Sequence, residues 1–313
     1  EVQNYTFGYA RAGALGNTIF MQYKVINKGG NVLDSMFISL WADPDLGDAG
    51  DDLVGCDTTL SLGFCYNADD DDASYGAQSP AVGFDFFQGP IVPSLGVTDT
   101  ILIDGRPTEV VGFEELPMTS FNKYINGTDP GVNIETYNYM KGLEIDGATH
   151  INPTTGQATK FFVSGDPVTG TGELDANAAD RRYMMTSGPF TMNPGDTQVV
   201  VAAVIVGQGT DRLSSIDRLR DNDRIAQSVF DANFDIPGPP PQPAVWTVPQ
   251  ENAVQILWGT EADGDVQYGV SPPDSTGAID TLQILVFEGF NVYQGASSSG
   301  PWTKVTTFDL ANG

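Results

Sequence analysis

Ten aspartates fall between Asp43 and Asp72, and no lysine or arginine stands between Lys28 and Arg106. Asp43, Asp45, Asp48, Asp51 and Asp52 occupy positions 1, 3, 6, 9 and 10 of one segment, whose glycines let the backbone curl its carbonyls inward. Carboxylates and carbonyls are hard oxygen donors, and a flexible set of about six to eight suits calcium better than magnesium or zinc. Asp57, Asn67, Asp69, Asp70, Asp71 and Asp72 complete that site or form a second. An EF-hand loop is excluded, because its twelfth position needs a glutamate and here holds Val54. Charge runs are commonly solvated faces that bind nothing. Calcium is the expectation here because Trp41, Leu53, Val54, Leu62, Phe64 and Tyr66 share the segment, and carboxylates packed among them need cations to offset their repulsion.

Other chemistry finds less support. Cys56 and Cys65 lie inside the acidic stretch. Their spacing permits a local disulfide, expected if the compartment is oxidising, with two buried thiols as the alternative; without a nearby histidine they do not make a zinc site. His150 is the one histidine, and no Gly-x-Ser-x-Gly elbow accompanies it, so an ordinary loop hydrogen bond is expected and no catalytic residue is assigned. Glu114, Glu115, Glu144 and Glu173 are candidates for paired-carboxylate chemistry only in the sense that so many acids must place some pair suitably. Tyr124, Tyr137, Tyr139, Phe161 and Phe162 could line a sugar-binding face, although strand aromatics are more often core. A net charge of −27 repels the phosphate backbone and excludes nucleic acid as a partner.

The elements that must position these residues read as strands. With 313 residues, 36 glycines, 20 prolines and 18% charged residues, the composition points to an all-β chain of more than one domain. Period-two alternation marks strands at 5–9, 18–26 and 35–41, with 27–31 as a hairpin turn between the last two. Residues 42–76 read as a loop of about 35 residues, long enough to need an internal reason for order. Strands follow at 81–87, then a hairpin of 100–103 and 110–113 around Asp104-Gly105, a short strand at 160–163, and a buried central strand at 198–206. Ser214 with Asp217 reads as the capping box of one amphipathic helix, carrying Leu213, Ile216, Leu219, Ala226, Val229 and Phe230. The expected fold is therefore a β-sandwich, residues 1–236, with a long acidic calcium-binding loop and one amphipathic helix. No uninterrupted apolar stretch long enough to span a membrane exists, and no charged-then-apolar pattern is read at the start of the sequence, so for an exported protein the leader is expected to have been removed already.

Residues 237–243 hold five prolines in seven positions, a stiff connector of roughly 20 Å. Residues 244–313 then show strands at 253–258, 289–294 and 302–308, with Trp258 and Tyr293 placed as core aromatics. This layout resembles a fibronectin type III module, with a longer segment at 259–286 and an end at Gly313 that leaves the sandwich incomplete, so a longer parent is expected. The run from Trp41-Ala-Asp-Pro-Asp-Leu-Gly-Asp through Val54-Gly-Cys-Asp-Thr-Thr-Leu-Ser-Leu-Gly-Phe-Cys-Tyr-Asn resembles large exported surface proteins of Bacteroidetes-like bacteria. Pro80-Ala-Val-Gly-Phe-Asp-Phe-Phe-Gln-Gly-Pro, Ser164-Gly-Asp-Pro-Val-Thr-Gly and Ser187-Gly-Pro-Phe-Thr-Met-Asn-Pro-Gly-Asp-Thr-Gln share the likeness. It implies an extracellular or cell-surface location associated with type IX secretion. The expected role is structural or adhesive, as a stalk, an adhesin or a filament subunit, with calcium, other copies of itself or extracellular polysaccharide as partners. The alternative is an accessory carbohydrate- or substrate-binding module of a larger secreted enzyme.

Overall fold

Apolar side chains alternating along successive strands, and a helix that continues the same interior, organise the first part of the chain. The computed structural model describes residues 1–103, 105–234, 245–251, 253–258, 267–269, 283–285, 289–297 and 301–309. The chain divides into two compact units, Glu1–Phe234 and Asp235–Gly313. It is all-β. The first unit holds β1 (Val2–Gly8), β2 (Thr18–Ile26), β3 (Leu33–Ala42), β4 (Asp52–Asp57), β5 (Leu62–Asn67), β6 (Ala81–Gln88), β7 (Ile91–Ile103), β8 (Arg106–Glu115) and β9 (Ser120–Ile125). Helix α1 (Asn133–Met140), β10 (Arg181–Met192), β11 (Thr197–Gly207) and helix α2 (Arg212–Asp231) follow.

A six-stranded sheet runs β1-β2-β11-β6-β5-β4, and a three-stranded sheet runs β3-β10-β9. Between them Val54, Cys56, Cys65, Phe86, Val200 and Ala202 meet Leu40, Ala42, Phe121, Tyr183 and Met185, which is the sandwich core. The other face of the larger sheet sends Phe20, Leu62, Phe64, Val201, Ala203 and Ile205 against Ile216, Leu219 and Ala226 of α2. β11 is thus buried on both faces, which is why its sequence is a nearly unbroken run of Val, Ala and Ile. Each large aliphatic side chain buried here stabilises the fold by about 1.5–3 kcal/mol. Helix and sheet approach closely at Gly207, where an added Cβ would lie 2.1 Å from the Leu219 nitrogen.

Several sequence expectations need correction. Residues 27–31 do not close a hairpin: β2 pairs with β1 and β11, whereas β3 pairs with β10, so the segment crosses between sheets. Buried Asn27 fixes it, donating to the carbonyls of Asn31 and Met192 while its backbone exchanges hydrogen bonds with the 193–196 turn. The acidic stretch is not a continuous loop, because β4 and β5 form an antiparallel hairpin inside it. The helix begins earlier than Ser214: Asp211 is the N-cap, accepting from the amides of Leu213 and Ser214, and the Ser214 hydroxyl accepts from the Asp211 amide. Residues 160–163 make one isolated bridge, Phe121 to Phe161, instead of a strand. Helix α1, unforeseen, packs Tyr139 against Tyr124 and Met184 on the outer face of the smaller sheet. The hairpin around residue 105 is present and extends over all of β7 and β8.

The second unit pairs β12 (Val245–Gln250) with β13 (Ala253–Trp258), β14 (Gln267–Gly269) with β15 (Gln283–Leu285), and β16 (Gly289–Gly295) with β17 (Trp302–Asp309), all antiparallel. Tyr293 is 52% exposed and not the core aromatic expected. The Trp258 side chain and the proline-rich 237–243 segment lie outside the described residues. No described helix is long and apolar enough to cross a membrane.

Candidate metal centre

β3 leaves the smaller sheet at Ala42, directly opposite Tyr183 near the start of β10. That pairing carries Asp43 alongside Asp180, which precedes β10, and Arg181 and Arg182, which open it. One oxygen each of Asp43, Asp45 and Asp180 lie within 4.8 Å of one another. Arg182 donates to Asp43 Oδ2 through Nε and Nη2, both at 2.9 Å, and Asn126 Nδ2 donates to Asp180 Oδ2 at 2.7 Å. Oδ1 of Asp43 and Oδ1 of Asp180 are buried and accept no hydrogen bond. Each carboxylate is therefore oriented through one oxygen while the other lacks a donor. A buried carboxylate oxygen without a partner is costly, and three carboxylates against one guanidinium leave local negative charge in excess. A hard cation answers both deficits, and three carboxylates supplemented by carbonyls or water fit calcium by donor chemistry.

The remaining predicted ligands do not join this cluster. Asp72 is consumed by structure: Oδ2 accepts from the Asp48 amide and Asn67 Nδ2, and Oδ1 accepts from the amides of Ser74 and Tyr75. Burial raises its pKa, but these donors outweigh that and hold it below the ordinary value. Asn67 also donates to Asp51, whose pKa is raised by desolvation and by the neighbouring Asp72. Asp48 caps the short 3-10 turn Ala49–Asp51 by accepting from Gly50. Gly47, at φ 74°, brings the chain so close to Asp72 that a Cβ there would sit 2.1 Å from its carboxylate. Asp52 is fully buried on β4, accepts from the Leu46 amide, and is pushed to about 7 chiefly by desolvation. Asp57 pairs with Arg220, and Asp70 with Arg212. Asp69 accepts from the Asp71 amide in an exposed turn.

Sequence reasoning missed Asp180 and the arginines that serve the acidic stretch, because all come from beyond residue 179. The available signal was the run Ala-Asp-Arg-Arg at 179–182, where basic charge returns at the start of a strand. Nearby, Asp175 is fully buried and charge-compensated by Lys123 at 2.6 Å and Arg181 at 2.9 Å, and it also accepts from the Val54 amide.

The expected disulfide is absent: Cys56 and Cys65 are free and buried. Both face the sandwich core, but Cys56 stands opposite Gly63 and Cys65 opposite Val54, so they are diagonal across the hairpin. Diagonal neighbours sit about 7–8 Å apart, beyond the usual reach of a disulfide. Burial pushes both thiols well above their ordinary pKa.

His150 stacks on Phe162 with ring centroids 3.7 Å apart. Its Nδ1 contacts Glu144 at 2.7 Å and its Nε2 contacts Glu173 at 3.0 Å, so both nitrogens are committed. Glu114 accepts from Ser94 and Glu115 from the Gly89 amide, and burial raises Glu115 to about 8. The aromatics proposed for sugar contact are mostly packed: Tyr124 stacks on Tyr139, and Tyr137 meets Phe37 edge-on while donating to the Ser35 carbonyl. Comparison with protein-family models, curated proteins and solved structures finds no match to this chain.

Proposed function

We propose that this chain is a non-catalytic structural or adhesive part of a secreted or cell-surface protein, stiffened by calcium held at Asp43, Asp45 and Asp180. The observation that carries the reading is the convergence of these three carboxylates around the buried, donorless Oδ1 atoms of Asp43 and Asp180. An ion there would tie the end of β3 to the start of β10 and the turn before β4. It would thereby fix the entry of the acidic stretch to the smaller sheet. Extracellular calcium is abundant enough to occupy sites of modest affinity. The strongly acidic surface, and the resemblance of the 41–90 and 164–198 motifs to exported surface proteins, agree with that setting.

Thermal unfolding of the full chain in calcium and in excess chelator tests the reading. At a hundredfold excess over its Kd, an ion bound only by the folded state contributes about 2.7 kcal/mol, or roughly 5–11 °C in Tm for a unit of this size. Chelation is expected to lower the wild-type Tm by that order, while Asp180→Asn, already lacking one ligand, responds far less. Equal Tm values for the wild type with and without calcium would overturn the proposal.

A further inference from the structure

α2 docks on the six-stranded sheet through Ile216, Leu219, Ala226 and Val229, and Asp223 stands in the middle of that stripe, 1% exposed. Beneath it β6 presents Asp85, 0% exposed, on the same sheet face as Ala81 and Phe87. α2 packs directly on β6, and the two carboxyl groups are near enough for each to perturb the other's ionisation. The Phe86 amide donates to the Ser61 carbonyl, and no described donor satisfies either Asp85 oxygen or Asp223 Oδ1.

Among the described residues, the surroundings supply little counter-charge. Of the elements packed against α2, the 3-10 turn Ala14–Asn17, β5 and β11 carry no charged residue, and β6 carries only Asp85. Asp57 at the end of β4 adds repulsion at Asp223, as Glu115 at the end of β8 does at Asp85. On α2 itself Arg220 is engaged by Asp57, Asp166 and Asp217, and Arg224, which weakly favours an ionised Asp223, pairs with Asp221. Two ionised carboxylates in contact, without water or cation, cannot be sustained in an interior. An ionised carboxylate is an acceptor only, so the pair forms its hydrogen bond when one partner keeps a proton.

We propose that Asp85 and Asp223 are a proton-binding latch: one proton shared between them holds α2 on the sheet, and its loss loosens the helix. Desolvation raises both groups; the neighbouring Asp223 carboxylate raises Asp85 well above the ordinary carboxylate range, whereas the hydrogen bond from Asp85 acts to lower Asp223, so the shared proton resides on Asp85. When the helix lifts, the acids return to water and to ordinary carboxylate behaviour, so the docked state binds the extra proton. Docking is therefore strongest below about pH 4 and weakens as pH rises toward and through 7.

Hydrogen exchange of the α2 amides in the full chain, from pH 5 to 8 and corrected for intrinsic base catalysis, reads this directly. One proton released on opening makes the opening equilibrium rise about tenfold per pH unit below the pair's own titration. That slope is expected in the wild type and is expected to flatten in Asp85→Asn and Asp223→Asn, where a neutral amide keeps a donor in the pair. A flat wild-type profile, or an unchanged slope in the variants, overturns the latch. Opening of the helix on adding chelator at fixed pH also overturns it, by placing a metal where the proton is proposed. Should the variants fail to fold, carboxyl-carbon NMR of aspartate-labelled protein decides, with Asp51→Asn, Asp52→Asn and Asp231→Asn used to assign the other raised aspartates. A coupled pair of signals that takes up one proton well above the range of the exposed aspartates supports the latch, and signals that titrate with the exposed aspartates refute it.

Discussion

Asp43 and Asp72 belong to one acidic run and meet opposite environments. Asp72 is wrapped by four donors and serves as a turn-forming side chain, whereas Asp43 is held on one oxygen by Arg182 and left without a donor on the other. Composition cannot separate them, since the difference lies in which amides and arginines arrive. Gly47→Ala should therefore be disruptive although nothing charged changes: a Cβ would collide with the Asp72 carboxylate in a backbone conformation unfavourable to alanine. A loss of about 1–3 kcal/mol is expected in denaturant unfolding, and a neutral result would contradict the described turn. The cysteines give a second residue-scale expectation. Both thiols should resist labelling in the native state and react fully once unfolded, and reductant should leave the unfolding midpoint unchanged.

Among the elements, α2 rests most clearly on a local device. Asp211→Ala removes the acceptor for two first-turn amides and should cost about 0.5–2 kcal/mol, read as a lower midpoint with an unchanged denaturant slope. The helix itself was legible because Leu213, Ile216, Leu219, Ala226 and Val229 recur at helical spacing, while its start was misplaced because Ser214 and Asp211 exchange roles in the same box. β11 was legible from its unbroken apolar run. The β4–β5 hairpin was not: Asp52-Leu-Val-Gly-Cys-Asp and Leu62-Gly-Phe-Cys-Tyr-Asn are buried on both faces, so no alternation distinguishes them from the aspartates around them. The same limit applies to the proposed metal centre. Asp43 and Asp45 could be named from spacing, but Asp180 reaches them only through the pairing of β3 with β10, a long-range register that no local pattern encodes.

At the scale of the whole molecule, acidity acts in two directions. Exposed carboxylates attract cations, whereas Asp52, Glu115, Asp85 and Asp223 are raised because they are buried. For a carboxyl whose folded pKa exceeds its unfolded one, the stabilisation is full below about pH 4 and is lost as pH rises through the folded value. In chelator, the midpoint of the full chain should accordingly fall between about pH 5 and pH 8, and Asp52→Asn should reduce that fall. Calcium should narrow the difference from the alkaline side, because its ligands bind it only when ionised. Counting bound calcium after equilibrium dialysis of the full chain, Asp180→Asn and Asp72→Asn tests the centre most directly. The expected result is one ion fewer in Asp180→Asn at a concentration that saturates the wild-type centre, with Asp72→Asn retaining that ion if its fold is intact. An equal count in the wild type and Asp180→Asn, or no bound ion in the wild type, would contradict a calcium centre built by Asp43, Asp45 and Asp180.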